Sequence, residues 1–182
     1  MENETLNTIY SRRSVRSFTG EAVSNETLTR ILRAAMAAPS AVNMQPWAFV
    51  VVTNRQTLDQ LCAVLPYAKM LDKAGAAIVV CGIPDKDEVF SKEYWITDCS
   101  AASENILLAV HALGLGAVWT AVHSDKQRIA AVRKILDIPG NIIPLNVIPI
   151  GVPKDKGKVI DKFKEENIHW EKWQAKGNRL CR

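Results

Sequence analysis

Long hydrophobic runs, paired cysteines and a strong excess of either charge are all missing from this chain. The longest apolar stretch, Ala74 to Gly82, falls far short of the roughly 20 residues a helix needs to cross a bilayer. The start, Met1-Glu2-Asn3-Glu4, is acidic and has no apolar segment behind it, so no secretory signal is expected. Cys62, Cys81, Cys99 and Cys181 show neither close pairing nor C-x-x-C spacing, which excludes a zinc ribbon and a dithiol redox motif. Reduced thiols in the cytosol are the simplest account, and a soluble cytoplasmic protein is expected. His111, His123 and His169 lack metal-ligand spacing, so no metal site is expected. A formal charge of +4 and a pI of 8.9 are too diffuse for nucleic acid, which needs a concentrated basic face. Asp155, Asp161, Glu165 and Glu166 lie among the C-terminal lysines and dilute even that excess. There is no G-x-S-x-G and no Walker motif. Gly114-Leu115-Gly116 precedes a strand pattern rather than opening a helix, so it is not a dinucleotide fingerprint.

What is present fits an ordinary globular core: 182 residues, 48% hydrophobic and 23% charged, read as one domain over 1–182. Leu6, Ile9 and Tyr10 mark a short helix over 5–11, followed by a linker over 17–23. Ser24 caps a second helix whose stripe is Leu28, Ile31, Leu32, Ala35 and Met36; it must stop before Pro39. Residues 47–53 and 76–81 are apolar on both faces, as buried strands are. A helix capped by Asn54 lies between them. The longest helical pattern, 96–113, carries small or apolar residues nearly all round and is expected to be buried. Asp98 reads as an acid favouring the start of that helix. A strand over 117–122, a helix over 124–136 and a strand over 145–150 follow, with Pro149 pointing to an edge or a bulge. Strands and helices mix without strict alternation, which predicts an α+β sandwich: a mainly antiparallel sheet of four or five strands with helices on both faces. Trp170 and Trp173 in the polar C-terminal arm, about 154–182, need a surface to cover, on a partner or on the same subunit.

Two motifs carry chemistry. Arg12-Arg13-Ser14-Val15-Arg16 gathers three guanidinium groups and a hydroxyl, a set suited to gripping a phosphate; alone, it could equally be a solvent-facing helix end. The second is Pro39-Ser40-Ala41-Val42-Asn43-Met44-Gln45-Pro46-Trp47. Its serine and asparagine offer the groups a heteroaromatic ring requires, or else satisfy their own backbone.

Together, and in this order, the two motifs resemble the nitroreductase-like family of flavin enzymes. The likeness extends through residues 101–119 and 148–153. It implies an FMN-dependent NAD(P)H oxidoreductase with FMN at a homodimer interface. Hydride passes through flavin N5 by ping-pong kinetics to electron-poor acceptors such as nitroaromatics, quinones or flavins, and no protein acid or base is obligatory. Arg12, Arg13 and Ser14 would hold the phosphate and Arg16 the pyrimidine edge, with Lys69 assisting there or remaining a surface lysine. Pro39, Ser40, Ala41 and Asn43 would come from the other subunit. Two departures from the family pattern stand out. An arginine common after Gly151-Val152-Pro153 is missing, with Lys162 as its substitute. A glycine common after Trp119 is replaced by Thr120 and Ala121, which leaves the donor to N5 open. A flavin reservoir or redox sensor without turnover is the alternative. A reductive dehalogenase-like or flavin-fragmenting relative would need a larger lid than residues 82–96 supply.

Overall fold

Ser24 and Asn54 open two helices because each side chain accepts from the backbone N–H three residues on, Thr27 and Thr57 respectively. In the computed structural model, which describes residues 3–155 and 157–174, those helices are α2 (Asn25–Met36) and α3 (Arg55–Val64). The remaining elements are α1 (Glu4–Ser11), β1 (Trp47–Val52), β2 (Ala76–Gly82), α4 (Phe90–Ala112), β3 (Gly116–Ala117), β4 (Thr120–Ala121), α5 (Lys126–Leu136) and β5 (Ile143–Gly151).

The five strands form an antiparallel sheet in the order β1-β2-β5-β3, with β4 also paired to β5. Every residue of β2 is buried, and its side chains alternate between two cores. Ala76, Ile78 and Val80 meet Leu28, Ile31, Ile106 and Val110 from α2 and α4. Ala77, Val79 and Cys81 meet Leu58, Leu61 and Val132 from α3 and α5. Helices therefore cover both faces, as the apolar runs on both sides of the strands require. Close approach is purchased with glycine at two points: a Cβ on Gly82 would lie 2.0 Å from the Trp95 ring, and one on Gly116 would lie 2.7 Å from the Val15 side chain.

Four expectations change. Residues 17–23 are not a free linker, because Phe18 is fully buried and bridges Pro153. The stretch 117–122 is two short strands interrupted at Val118 and Trp119. Pro149 is not on an edge strand, since β5 lies between β2 and the β3/β4 pair and Pro149 faces Ala77 in register. Ile150 turns its carbonyl toward Gly75, so the neighbouring Pro149 turns the other way. Its missing N–H falls at the gap between β3 and β4, where no ladder bond is needed. Finally, α4 begins at Phe90, six residues before the expected 96, and takes up nearly half of the segment 82–96 read as too short for a lid. No helix among the described residues is long and apolar enough to cross a membrane.

Candidate functional site

Helix α1 is held by its cap rather than by burial. Asn3 Oδ1 accepts from Thr5 N at 2.9 Å, and no residue of the helix is buried. Its last residues deliver the arginines onto the sheet edge, where Val15 N donates to Ala117 O at 2.9 Å. Gly116 permits that approach, and the buried Phe18 anchors the far end of the segment.

The guanidinium groups divide between two cavities. Arg13, Ser14 and Arg16 line one of 250 Å³ together with Val15, Ser17, Asp155 and Gly157. Arg12 lines another of 590 Å³ with Ile9, Tyr10 and the arm residues Val159 to Phe163, Lys162 included. Arg12 also pairs with Glu104 of α4, Nε to Oε1, at 3.3 Å. Among the described residues Arg13 reaches only Ser11 O, at 3.5 Å through Nη1, and its buried Nε has no hydrogen-bond partner. The Asp155 carboxylate in the same cavity accepts from Gly157 N at 3.0 Å.

His111, in the last turn of α4, joins this cluster without having been legible from its spacing. Its Nε2 lies 2.7 Å from Ser11 Oγ, and Ser11 gives its hydroxyl proton to Asn7 O at 2.6 Å. Nε2 must therefore carry the hydrogen and donate it to Ser11. Burial first, then the charges of Arg13 and Arg12, hold the imidazole below its ordinary pKa of 6.5. The sign follows: the fold prefers neutral His111, so its contribution is intact above pH 6.5 and is lost as the pH falls through that value toward the depressed folded one. Glutamine keeps an N–H donor for Ser11 without the titration. His111→Gln should lose less thermal stability than the wild type between about pH 7.5 and 5.5 in melts of the flavin-free protein. Equal losses would remove His111 as the titrating group.

The second motif forms a loop between α2 and β1. Its 3-10 turn, Ala41–Asn43, places Val42 at φ 42° and Asn43 at φ 59°, and Gln45 follows at φ 51°. A β-branched residue in the left-handed region is a true outlier, and each such residue costs about 1–3 kcal/mol. The strain is offset by ties. Ser40 Oγ accepts from Gln45 N at 2.9 Å, Lys86 Nζ donates to Gln45 O at 2.9 Å, and Ile83 N donates to Pro46 O at 2.8 Å. Ala41 N donates to both carboxylate oxygens of Asp98, each at 3.2 Å. Asp98 is thus not a helix-start acid: it lies inside α4, buried, and desolvation raises its pKa although the Ala41 bond lowers it. Pro39, Val42 and Asn43 are exposed, and among the described residues the Asn43 side chain makes no hydrogen bond.

The other candidates are dispersed. Lys69 is exposed and donates to Cys62 O at 3.3 Å from a 3-10 turn, Lys69–Lys73, that Arg55 secures through Leu71 O and Ala74 O. Thr120 is buried and its hydroxyl is spent on Val147 O, whereas Ala121 is exposed. The buried thiols of Cys81 and Cys99 are pushed up to about 12 by desolvation, which rules them out as nucleophiles at neutral pH. Cys62, Cys81 and Cys99 are all free; Cys181 lies outside the described residues.

Within one chain the two motifs do not meet. Asp98 ties down the loop, whereas Glu104 pairs with Arg12 and His111 meets Ser11 just ahead of the arginines. At about 1.5 Å of rise per residue these anchors are spread over roughly 20 Å of α4.

Comparison with known proteins bears on what these half-sites are. The chain matches the family model of the nitroreductase family over residues 9–65 and 60–152. It is 44% identical to a protein of Archaeoglobus fulgidus provisionally named NADH dehydrogenase/NAD(P)H nitroreductase, covering 93% of this chain and 99% of that one. A crystal structure from Parabacteroides distasonis with the same provisional name superposes with a TM-score of 0.90 at 47% identity, covering 94% of this chain and all of the other. An FMN-dependent nitroreductase from Clostridium difficile gives a TM-score of 0.84 at 28% identity over 92% of this chain and 99% of that one.

Proposed function

The chain belongs to the nitroreductase family, and on that premise we propose that its two half-sites close on one FMN between two subunits. The protein is an FMN-dependent oxidoreductase that draws on NAD(P)H. Bound in the site, FMN supplies hydride transfer at N5, accepting from NAD(P)H and giving to an electron-poor acceptor such as a nitroaromatic, a quinone or a free flavin, each visiting the same pocket in turn.

The observation that carries the placement is the Arg13 Nε, a buried donor without an acceptor among the described residues, beside a 250 Å³ cavity. An unsatisfied buried donor costs about 1–3 kcal/mol, more when charged. A phosphate oxygen is the acceptor that cavity suits, so the residues fit the group. Arg13 and Ser14 grip the phosphate, with Arg12 and Lys162 adding positive charge from the adjoining cavity. Arg16 and Lys69 are the cations assigned to the pyrimidine edge, where fixed positive charge favours electron uptake. Pro39, Ser40, Ala41 and Asn43 of the second subunit frame the ring, and Thr120 and Ala121 supply backbone beside it.

A dimer also gives cover to what one chain leaves bare. Leu6, Ile9 and Tyr10 of α1 are exposed, and Trp170 and Trp173 of the arm are 75% and 83% exposed. A 460 Å³ groove between α1, α2 and α4, floored by Ala34, Ala37, Ala109 and Ala112, offers a place for apolar side chains. We place the partner's arm, about 154–182, over such surfaces, its residues 156 and 175–182 lying outside the described ones. The whole chain then acts as one domain, in the cytoplasm, where free thiols stay reduced.

The test is direct. Protein purified with FMN should be yellow and dimeric, and anaerobic NADH or NADPH should bleach it in stopped flow. Bleaching by neither would leave a flavin reservoir and overturn the reductase.

A further inference from the structure

We propose that Asp98 is the positioning residue of the ring-framing loop, holding it in its strained shape through the carboxylate on the Ala41 N–H. The inference rests on the reading of residues 39–43 as that frame. The loop carries three left-handed residues in four positions, Val42, Asn43 and Gln45, and such conformations persist only where the surroundings over-determine them. Its far end is secured several times over, by Ser40 on Gln45 N, Lys86 on Gln45 O and Ile83 on Pro46 O. Among the described residues its near end has one hydrogen bond to the rest of the fold, Ala41 N to Asp98.

Consecutive residues of α4 grip the two ends. Asp98 takes Ala41, and the Cys99 thiol lies 3.6 Å from Pro46 O. Among the described residues Asp98 makes no other hydrogen bond and no ion pair, and it is 6% exposed. A carboxylate buried for the sake of one N–H is a poor investment in global stability, because desolvating a charge is unfavourable unless it is fully paired. Desolvation raises its pKa above 3.8, so the fold favours the protonated acid and forfeits that preference as the pH rises through the folded pKa. At neutral pH the ionised group is therefore held at a cost. What it returns is geometry: with the Ala41 N–H turned inward, Val42 and Asn43 stand out from the chain, where a partner's cofactor can meet them.

Asp98→Ala and Asp98→Asn, each loaded with FMN, separate positioning from mere structure. Three readouts are needed: FMN affinity by fluorescence titration, the visible spectrum and midpoint potential of the bound flavin, and the thermal midpoint of the flavin-free protein. Asp98→Ala should bind FMN about tenfold or more weakly, as expected for losing a hydrogen bond to a charged group. Its flavin spectrum and potential should shift while the flavin-free midpoint stays level or rises. Asp98→Asn retains one carbonyl acceptor for Ala41 and should recover most of the affinity. Wild-type affinity and spectrum in Asp98→Ala would overturn the proposal. So would a loss of FMN in step with a lowered flavin-free midpoint, or Asp98→Asn no better than Asp98→Ala. A wild type that takes up no FMN would instead overturn the reading of the site, and this inference with it.

Discussion

Arg12→Ala combined with Arg16→Ala should weaken FMN binding about 100- to 1000-fold, each charge-assisted contact to a phosphate or ring oxygen being worth about 1.5–3 kcal/mol and the pair sharing one ligand. The same substitutions should barely disturb the fold. Arg16 is exposed and makes no hydrogen bond or ion pair among the described residues. Arg12 leaves behind Glu104, whose side chain is half exposed, and an ion pair in that setting contributes about 0–1 kcal/mol. Far-UV circular dichroism and the flavin-free melting temperature should match the wild type while equilibrium dialysis against FMN records the loss. An unchanged dissociation constant would mean that the arginine segment does not grip the cofactor. Because Arg12 and Arg16 line different cavities, the single variants carry further information. If Arg16→Ala alone accounts for the loss, the cofactor occupies the cavity of Arg13 and Ser14; if Arg12→Ala does, it occupies the cavity that Arg12 shares with Lys162.

Much of the frame was legible because it depends on local rules. The caps Ser24 and Asn54, the stripe of α2, the doubly apolar β2 and the buried character of α4 each follow from periodicity or from one side chain's hydrogen-bonding reach. Where the reading failed, the deciding partner was distant in sequence. Pro149 signals a missing donor, but only the interruption at Val118 and Trp119 on a neighbouring strand makes that donor unnecessary inside a sheet. Asp98 reads as a helix-start acid, yet α4 begins at Phe90 and leaves it mid-helix, where its partner is Ala41, 57 positions earlier. The start of α4 was missed because Val89 at its N-cap offers no side-chain acceptor; Asp87, two residues earlier, accepts from Val89 N and Phe90 N instead. In the site itself, the residue types were readable while their grouping was not. Nothing in Arg12-Arg13-Ser14-Val15-Arg16 says that Arg12 falls into one cavity and Arg13 and Arg16 into another, and nothing about His111 says that it faces Ser11 across 100 residues. Val42 gave no hint of its left-handed backbone, since sequence preference argues against a β-branched residue there.

Mixing two crippled subunits should restore tight cofactor sites, and this outcome bears most directly on the proposal that each site is shared. One subunit carries Arg12→Ala and Arg16→Ala; the other carries Ser40→Ala and Asn43→Ala, expected to weaken FMN on the order of tenfold to a hundredfold through two lost neutral hydrogen bonds. Neither homodimer then has an undamaged site. Random assembly gives half heterodimers, and in each of these one site draws its arginines from the loop variant and its loop from the arginine variant, both intact. The opposite site carries all four substitutions. Since a two-fold dimer has two equivalent sites, about a quarter of all sites should regain wild-type affinity, appearing as a tight phase in FMN titrations of co-expressed, differentially tagged protein. Along α4 the residue tied to the loop, Asp98, and the residue paired with Arg12, Glu104, lie six positions and about 9 Å apart, so it is the mixing experiment that decides whether a site draws on one chain or two. Were both motifs to serve a ligand within a single chain, every chain in the mixture would still hold one damaged half, and no tight phase would return.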